Sequence, residues 1–166
     1  MLKKKLLTIA ISLLLCPLFA CGQSKDCISE AAECFQINPL LIRAIIWLES
    51  KNQQQVSNVN KNKTVDIGVM QINTVHLPAL KDRGINEELL RKNSCANVFS
   101  GAWVLKQNIE RDGYTWESIG SYHSRTPIYQ YRYANDIIFL ITHKTSVINK
   151  VEVKMQDGIR ERFPCH

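Results

Sequence analysis

The sequence predicts a mainly helical single domain with a short β or turn element around residues 64–73. Two observations carry that expectation. Pro39 to Ser50 is an almost wholly apolar run, preceded by Asn38, which can cap a helix, and opened by a proline suited to a first helical turn. Val98, Ala102, Leu105 and Ile109 recur at a spacing near four before Gly113 ends the segment. Period-two alternation enters only beyond His143.

The elements follow in order. Met1-Leu2-Lys3-Lys4-Lys5 is basic, and Leu6 to Ala20 is uncharged, mostly apolar and too short to span a bilayer comfortably. Residues 1–22 therefore read as a secretory signal peptide, residues 23–143 as the functional domain and 144–166 as a C-terminal extension. Ala20-Cys21-Gly22 fits cleavage before Gln23, while Leu18-Phe19-Ala20-Cys21 resembles a lipoprotein box. Ordinary cleavage is preferred. A periplasmic protein is expected, with membrane attachment only if Cys21 carries lipid.

Cys27 to Gln36 reads as a short amphipathic helix and Pro39 to Ser50 as a buried one. The polar stretch from Lys51 to Thr64 reads as a surface loop; its Asn/Gln-rich part from Asn52 to Asn62 either lines a groove or, the preferred reading, is a solvated connector. Gly68 to Asn73 suits a buried turn or short strand pair. Asn86-Glu87-Glu88 starts a short helix ending near Arg91, and Ser94 or Cys95 opens the long one. Thr115 caps a brief helix into Gly120. Thr126-Pro127 starts another, with Ile128, Tyr131, Ile137, Ile138 and Ile141 as its apolar stripe. Val147, Asn149, Val151, Val153 and Met155 then suggest a strand or an extended tail.

The formal charge of +6 includes Lys3, Lys4 and Lys5, so the mature chain of roughly 145 residues is only about +3. Such mild basicity suits a polyanionic wall polymer or simple solubility. No basic run with interleaved aromatics is present, so a nucleic-acid partner is not expected. Cys27, Cys34, Cys95 and Cys165 remain after export, an even number with three possible connectivities. Cys27–Cys95 with Cys34–Cys165 is the favoured pair. No metal site is expected, because Cys and His lack zinc-ligand spacing. No cofactor is expected, and a monomer is.

Glu49 is the residue most out of place, a carboxylate ending an apolar helix. Poor solvation of its ionised form and the negative end of the helix dipole both push its pKa upward. A carboxylic acid kept protonated near neutral pH suits proton donation to a glycosidic oxygen. The alternative is a surface Glu that merely ends the helix.

Four segments taken together resemble the lysozyme-like lytic transglycosylases of bacteria. They are Glu49-Ser50, Asp66-Ile67-Gly68-Val69-Met70-Gln71-Ile72-Asn73, Ser121-Tyr122-His123-Ser124 and Tyr133-Ala134. The resemblance runs from about Asp26 to Ile141, takes in Cys95-Ala96-Asn97 and Gly101-Ala102-Trp103, and points to the small exported enzymes of type III secretion, type IV secretion and pilus systems. It implies an α+β lysozyme-like fold. It also implies cleavage of the β-1,4 bond between N-acetylmuramic acid and N-acetylglucosamine in peptidoglycan, with a 1,6-anhydro product. The implied partners are glycan strands and components of a secretion or pilus machine.

On that resemblance Glu49 is the acid and then the base. Asp66, 17 residues later, is either a second carboxylate at the cleft or a loop-end acid satisfied by backbone amides. Ser50 either holds Glu49 or a sugar, or caps the helix. Gly68 either lets the backbone approach the saccharide or serves an ordinary turn. Met70 is either floor packing beside the acid or core. Gln71 and Asn73 offer amides for N-acetyl and hydroxyl groups, or are turn residues. Tyr122 and Tyr133 surround the reacting sugar, and His123 is a polar wall residue. Arg125 stands where the family often has a small residue. A water-using muramidase and a non-catalytic peptidoglycan-binding scaffold are the competing readings.

Overall fold

The computed structural model describes residues 26–165; the segment expected to be a signal peptide, Cys21 included, lies outside them. Helix α1 (Cys27–Phe35) starts on Asp26, whose side chain accepts from Ile28 N, and α2 (Pro39–Ser50) starts on Asn38, which does the same for Leu40 N. These side-chain caps satisfy amides that the first helical turn leaves without partners. Leu41, Ile42, Ala44, Ile45 and Ile46 bury α2 on most of its circumference. It packs against α1, α7 (Pro127–His143) and α8 (Thr145–Ile148). Lys51 closes α2 in the left-handed region, turning the chain abruptly away from Glu49.

The stretch expected to be an irregular loop contains a strand. β1 (Ser57–Val59) pairs antiparallel with β2 (Val65–Ile67), which pairs antiparallel with β3 (Ile72–Asn73), in the order β1-β2-β3. All three residues of β1 are exposed, so no apolar alternation marks it. A 3-10 turn (Thr74–His76) leads into α3 (Leu77–Lys81), followed by α4 (Glu87–Lys92).

Helix α5 (Ser94–Asp112) begins on Asn93, which accepts from Ala96 N, and crosses the core. Thr115 and Ser118 form a reciprocal capping box at α6 (Trp116–Gly120). On α7 the buried face is Gln130, Tyr133, Ala134, Ile137 and Leu140. The expected stripe is thus partly misplaced: Ile128 and Tyr131 are 69% and 57% exposed. The helix instead turns inward the face on which Tyr133, Ala134, Ile137 and Leu140 follow one another at helical spacing.

Beyond His143 the chain first makes α8 and then runs extended without joining a sheet. Val151 and Val153 are buried between exposed Glu152 and Lys154, so the period-two pattern is real although no strand forms. Val153 O accepts from Cys27 N at 2.8 Å, and Val151 O accepts from Arg43 at 2.8 Å. Ile148, Ile159 and Phe163 join the same core as α1 and α5. Phe163 lies 5.9 Å from Phe35 and 5.5 Å from Phe99, centroid to centroid. Two disulfides, Cys27–Cys95 and Cys34–Cys165, tie α1 to α5 and to this tail. Among the described residues no helix is long and apolar enough to cross a membrane.

The Cys34–Cys165 bridge closes a loop of sequence separation 131, so it restricts the unfolded chain strongly. Replacing both cysteines by serine is expected to cost about 2–4 kcal/mol in urea unfolding, with the tail amides losing hydrogen-exchange protection first.

Candidate active site

A cleft of about 800 Å³ separates the small sheet from the helices behind Glu49. Glu49, Asp66, Gln71, Asn73, Tyr122 and His123 all border it. Tyr133 stands behind, its hydroxyl donating to Glu49 Oε1 at 2.6 Å. His123 stacks on the Tyr133 ring at 5.0 Å, and Tyr122 lies 6.4 Å from it. The end of α2, the middle of α7, the β2–β3 turn and the loop after α6 therefore converge on one carboxyl group.

Burial pushes the Glu49 carboxyl up to about 7 from an ordinary value of 4.5. The Tyr133 hydrogen bond and the Lys51 ammonium oppose that shift, while the negative charge of Asp66 adds to it. Desolvation wins because an ionised carboxylate in that pocket forfeits most of its hydration. Tyr122 and Tyr133 are pushed well above the usual phenol range by burial and by Glu49, so both keep their protons and act as donors. Tyr122 donates to Met70 O at 2.8 Å.

Asp66 is not satisfied by backbone amides. Its two oxygens accept from side chains, Asn73 Nδ2 at 2.7 Å and Asn60 Nδ2 at 2.9 Å. Asn73 also donates to Thr64 Oγ1 at 3.0 Å and caps the following turn through Val75 N. Gln71, at φ +49°, folds its amide back onto Gly68 O at 2.7 Å and accepts from Asn58 at 2.6 Å. These amides hold the cleft wall in shape while bordering it.

Three of the expected binding residues sit behind that wall. Ser50 is 6% exposed, and its hydroxyl has Val69 O at 2.8 Å and Ile46 O at 3.1 Å within reach. It fastens the end of α2 to the β2–β3 turn, and the helix is capped by Lys51 instead. Gly68, at φ +74°, is required by a neighbour within the protein: a Cβ there would lie 2.3 Å from Asn97 Nδ2. Met70 is fully buried, its sulfur packed where a Cβ on Gly101 would come within 2.5 Å.

Asn97 is the structural residue that a search for chemistry overlooks. Wholly buried on α5, it accepts from Met70 N at 2.9 Å and donates to Ile67 O at 2.7 Å. One amide side chain thereby satisfies both edges of the turn that carries Gln71. Asn58, Asn60, Asn62 and His76 also border the cleft, so the Asn-rich segment is a groove wall as well as a connector. For the three asparagines, their recurrence at 58, 60 and 62 within one polar run is the signal that could have found them. Burial lowers the pKa of His76, which favours neutral imidazole. Among the described residues no group of three His, Cys, Asp or Glu could hold a metal ion.

With this geometry in place, the comparisons with known proteins are decisive at the level of family. The family described as "Transglycosylase SLT domain" matches residues 26–128, more than half of the chain. The chain belongs to the transglycosylase SLT domain family. The SLT match takes in Glu49, Asp66, Tyr122 and His123, and stops before Tyr133. The chain is similar to a peptidoglycan-binding-like protein of Escherichia coli O157:H7, 39% identical over 61% of this chain and 65% of that one. It is similar to invasion protein IagB of Salmonella typhimurium, 36% identical over 61% and 63%, and to protein IpgF of Shigella flexneri, 34% identical over 70% and 76%. The match thus spans a little under two thirds of the first two relatives. The mainly helical architecture with one small sheet is that of a lysozyme-like SLT domain.

Because the folded carboxyl of Glu49 titrates near 7 and an unfolded one near 4.5, folding favours its protonated form. That contribution is fully present below pH 4.5 and is lost as pH rises through about 7. Glu49→Gln should therefore be neutral at pH 4 and stabilising by up to about 3 kcal/mol at pH 9, read from denaturant unfolding across that range.

Proposed function

We propose that this protein is a peptidoglycan lytic transglycosylase, with Glu49 as its acid and then its base. The observation that carries the reading is a carboxyl held near pKa 7, hydrogen-bonded by Tyr133, facing a cleft walled with amides and hydroxyls. Such a wall suits N-acetyl and hydroxyl groups on a neutral sugar chain.

Below pH 7 Glu49 is protonated and donates its proton to the oxygen linking muramyl C1 to the next sugar. With Oε1 engaged by Tyr133, transfer falls to Oε2. The C1–O bond breaks, the leaving sugar departs as an alcohol, and positive charge builds at C1. The substrate's acetamido oxygen and the Asp66 carboxylate stabilise that charge. Glu49, now ionised and stabilised by the Tyr133 donor, accepts the proton of the muramyl 6-hydroxyl as O6 attacks C1. The product is a 1,6-anhydro sugar, Glu49 regains its proton, and no water is consumed. Gln71, Asn73, Tyr122 and His123 position the glycan; Ser50, Gly68 and Met70 set the wall from behind.

Export by residues 1–22 would bring the enzyme to the periplasm, where its two disulfides are stable. The name of the Escherichia coli relative supports a wall substrate, and that of IagB, an invasion protein, supports local wall opening for a secretion or conjugation machine.

Incubating purified sacculi with mature protein should release muropeptides one water lighter than muramidase products, identified by mass. Glu49→Gln should lower release by about 10²–10⁴-fold; full-mass reducing ends would assign the water-using reaction instead. The pH profile gives a separate test. Tyr133→Phe removes a donor that lowers the Glu49 pKa, so the alkaline limb of kcat should move above pH 7. Asp66→Asn removes a charge that raises it, so the limb should move below, with turnover sharply reduced and the fold unchanged.

A further inference from the structure

We infer that Lys61, at the tip of the β1–β2 hairpin, selects glycan strands that still carry acidic stem peptides; this rests on the wall-substrate reading above. Among the described residues bordering the cleft, Lys61 is the one permanently charged cation. The rest of that wall consists largely of amides and hydroxyls, which match a sugar chain of N-acetylhexosamines. That chain is uncharged. The negative charges of the wall polymer lie on the peptide hung from the muramyl lactyl group, whose glutamate and diamino-acid residues present free carboxylates. A cation at the rim of the cleft therefore has its complement on the peptide and none on the sugars.

The charge is available. No carboxylate of the described residues pairs with Lys61, and Asp66, the acid of the same hairpin, has its oxygens on Asn60 and Asn73. The backbone that presents Lys61 is held on both sides. Asn60 N donates to Thr64 O at 2.8 Å, and Lys63 N donates to Asn60 O at 2.9 Å. Thr64 N and Thr64 Oγ1 both donate to Asn62 Oδ1, at 3.1 Å and 2.7 Å. Asn60 and Asn62 thus lock the turn while bordering the cleft, so only the lysine's own side chain must be ordered on binding. The hairpin connects the proposed peptide contact directly to Asp66 and, across the cleft, to Glu49.

The test is a binding measurement that needs no turnover. Full-length mature protein carrying Glu49→Gln is titrated calorimetrically with solubilised glycan fragments bearing stem peptides, and with the same fragments after their peptide carboxylates have been converted to primary amides. Fragments with free peptide carboxylates should bind about two- to five-fold tighter, as expected of an exposed charge pair, and raising salt should erase the difference. Lys61→Met should bind both fragments equally, and Lys61→Glu should prefer the amidated one. Equal binding by the Glu49→Gln protein, or a preference that survives Lys61→Met, overturns the inference even if wild-type protein digests both substrates. Preferential binding lost in Lys61→Met, with no digestion by wild type, would uphold the peptide contact and overturn the catalytic reading.

Discussion

A single carboxyl group that cannot shed its proton cheaply organises this molecule. Glu49 ends a helix whose other side chains are mostly core, so it is drawn partly out of water by the same packing that stabilises α2. Tyr133 answers it from α7 with a hydrogen bond strong enough to offset part of the desolvation, not all of it. The balance leaves the acid near neutrality. Helix α7 turns its Tyr133 face inward together with Ala134, Ile137 and Leu140, and leaves Ile128 and Tyr131 in solvent.

Around that carboxyl the structure separates the polar groups that border the cleft from those that hold it. Gln71, Asn73 and Asp66 do both, because each uses part of its hydrogen-bonding capacity on the wall itself. Ser50 and Asn97 lie wholly behind, satisfying backbone groups of a turn too short to satisfy itself. A cleft wall made of amides needs such bracing, since an amide free to rotate recognises nothing in particular.

The helices were legible because their starts are marked by Asn38, Asn86, Asn93 and Thr115 and their inner faces by apolar recurrence. Glu49 was legible for the opposite reason, as a charge where apolar recurrence should have continued. Strand β1 was not legible: Ser57, Asn58 and Val59 are all exposed, so pairing with β2 leaves no hydrophobic trace. The apolar residues of α7 misled because Ile128 and Tyr131 fit a stripe by spacing but cover nothing. Alternation at Val151 and Val153 marked burial correctly, yet their partners are Arg43 and Cys27 N, which no local pattern announces. Asp66 was visible as a candidate, but its amide partners became apparent only once Asn60 and Asn73 were brought together by the fold.

Gly68, Gly101 and Asn97 interlock around Met70: one glycine makes room for the asparagine amide, the other for the thioether. None of these can be exchanged alone, since enlarging either glycine strikes its neighbour and shrinking Asn97 strands two backbone groups. Divergence in this lineage should therefore proceed by concerted replacement at these sites, and their substitution histories should be statistically linked even where the cleft itself drifts.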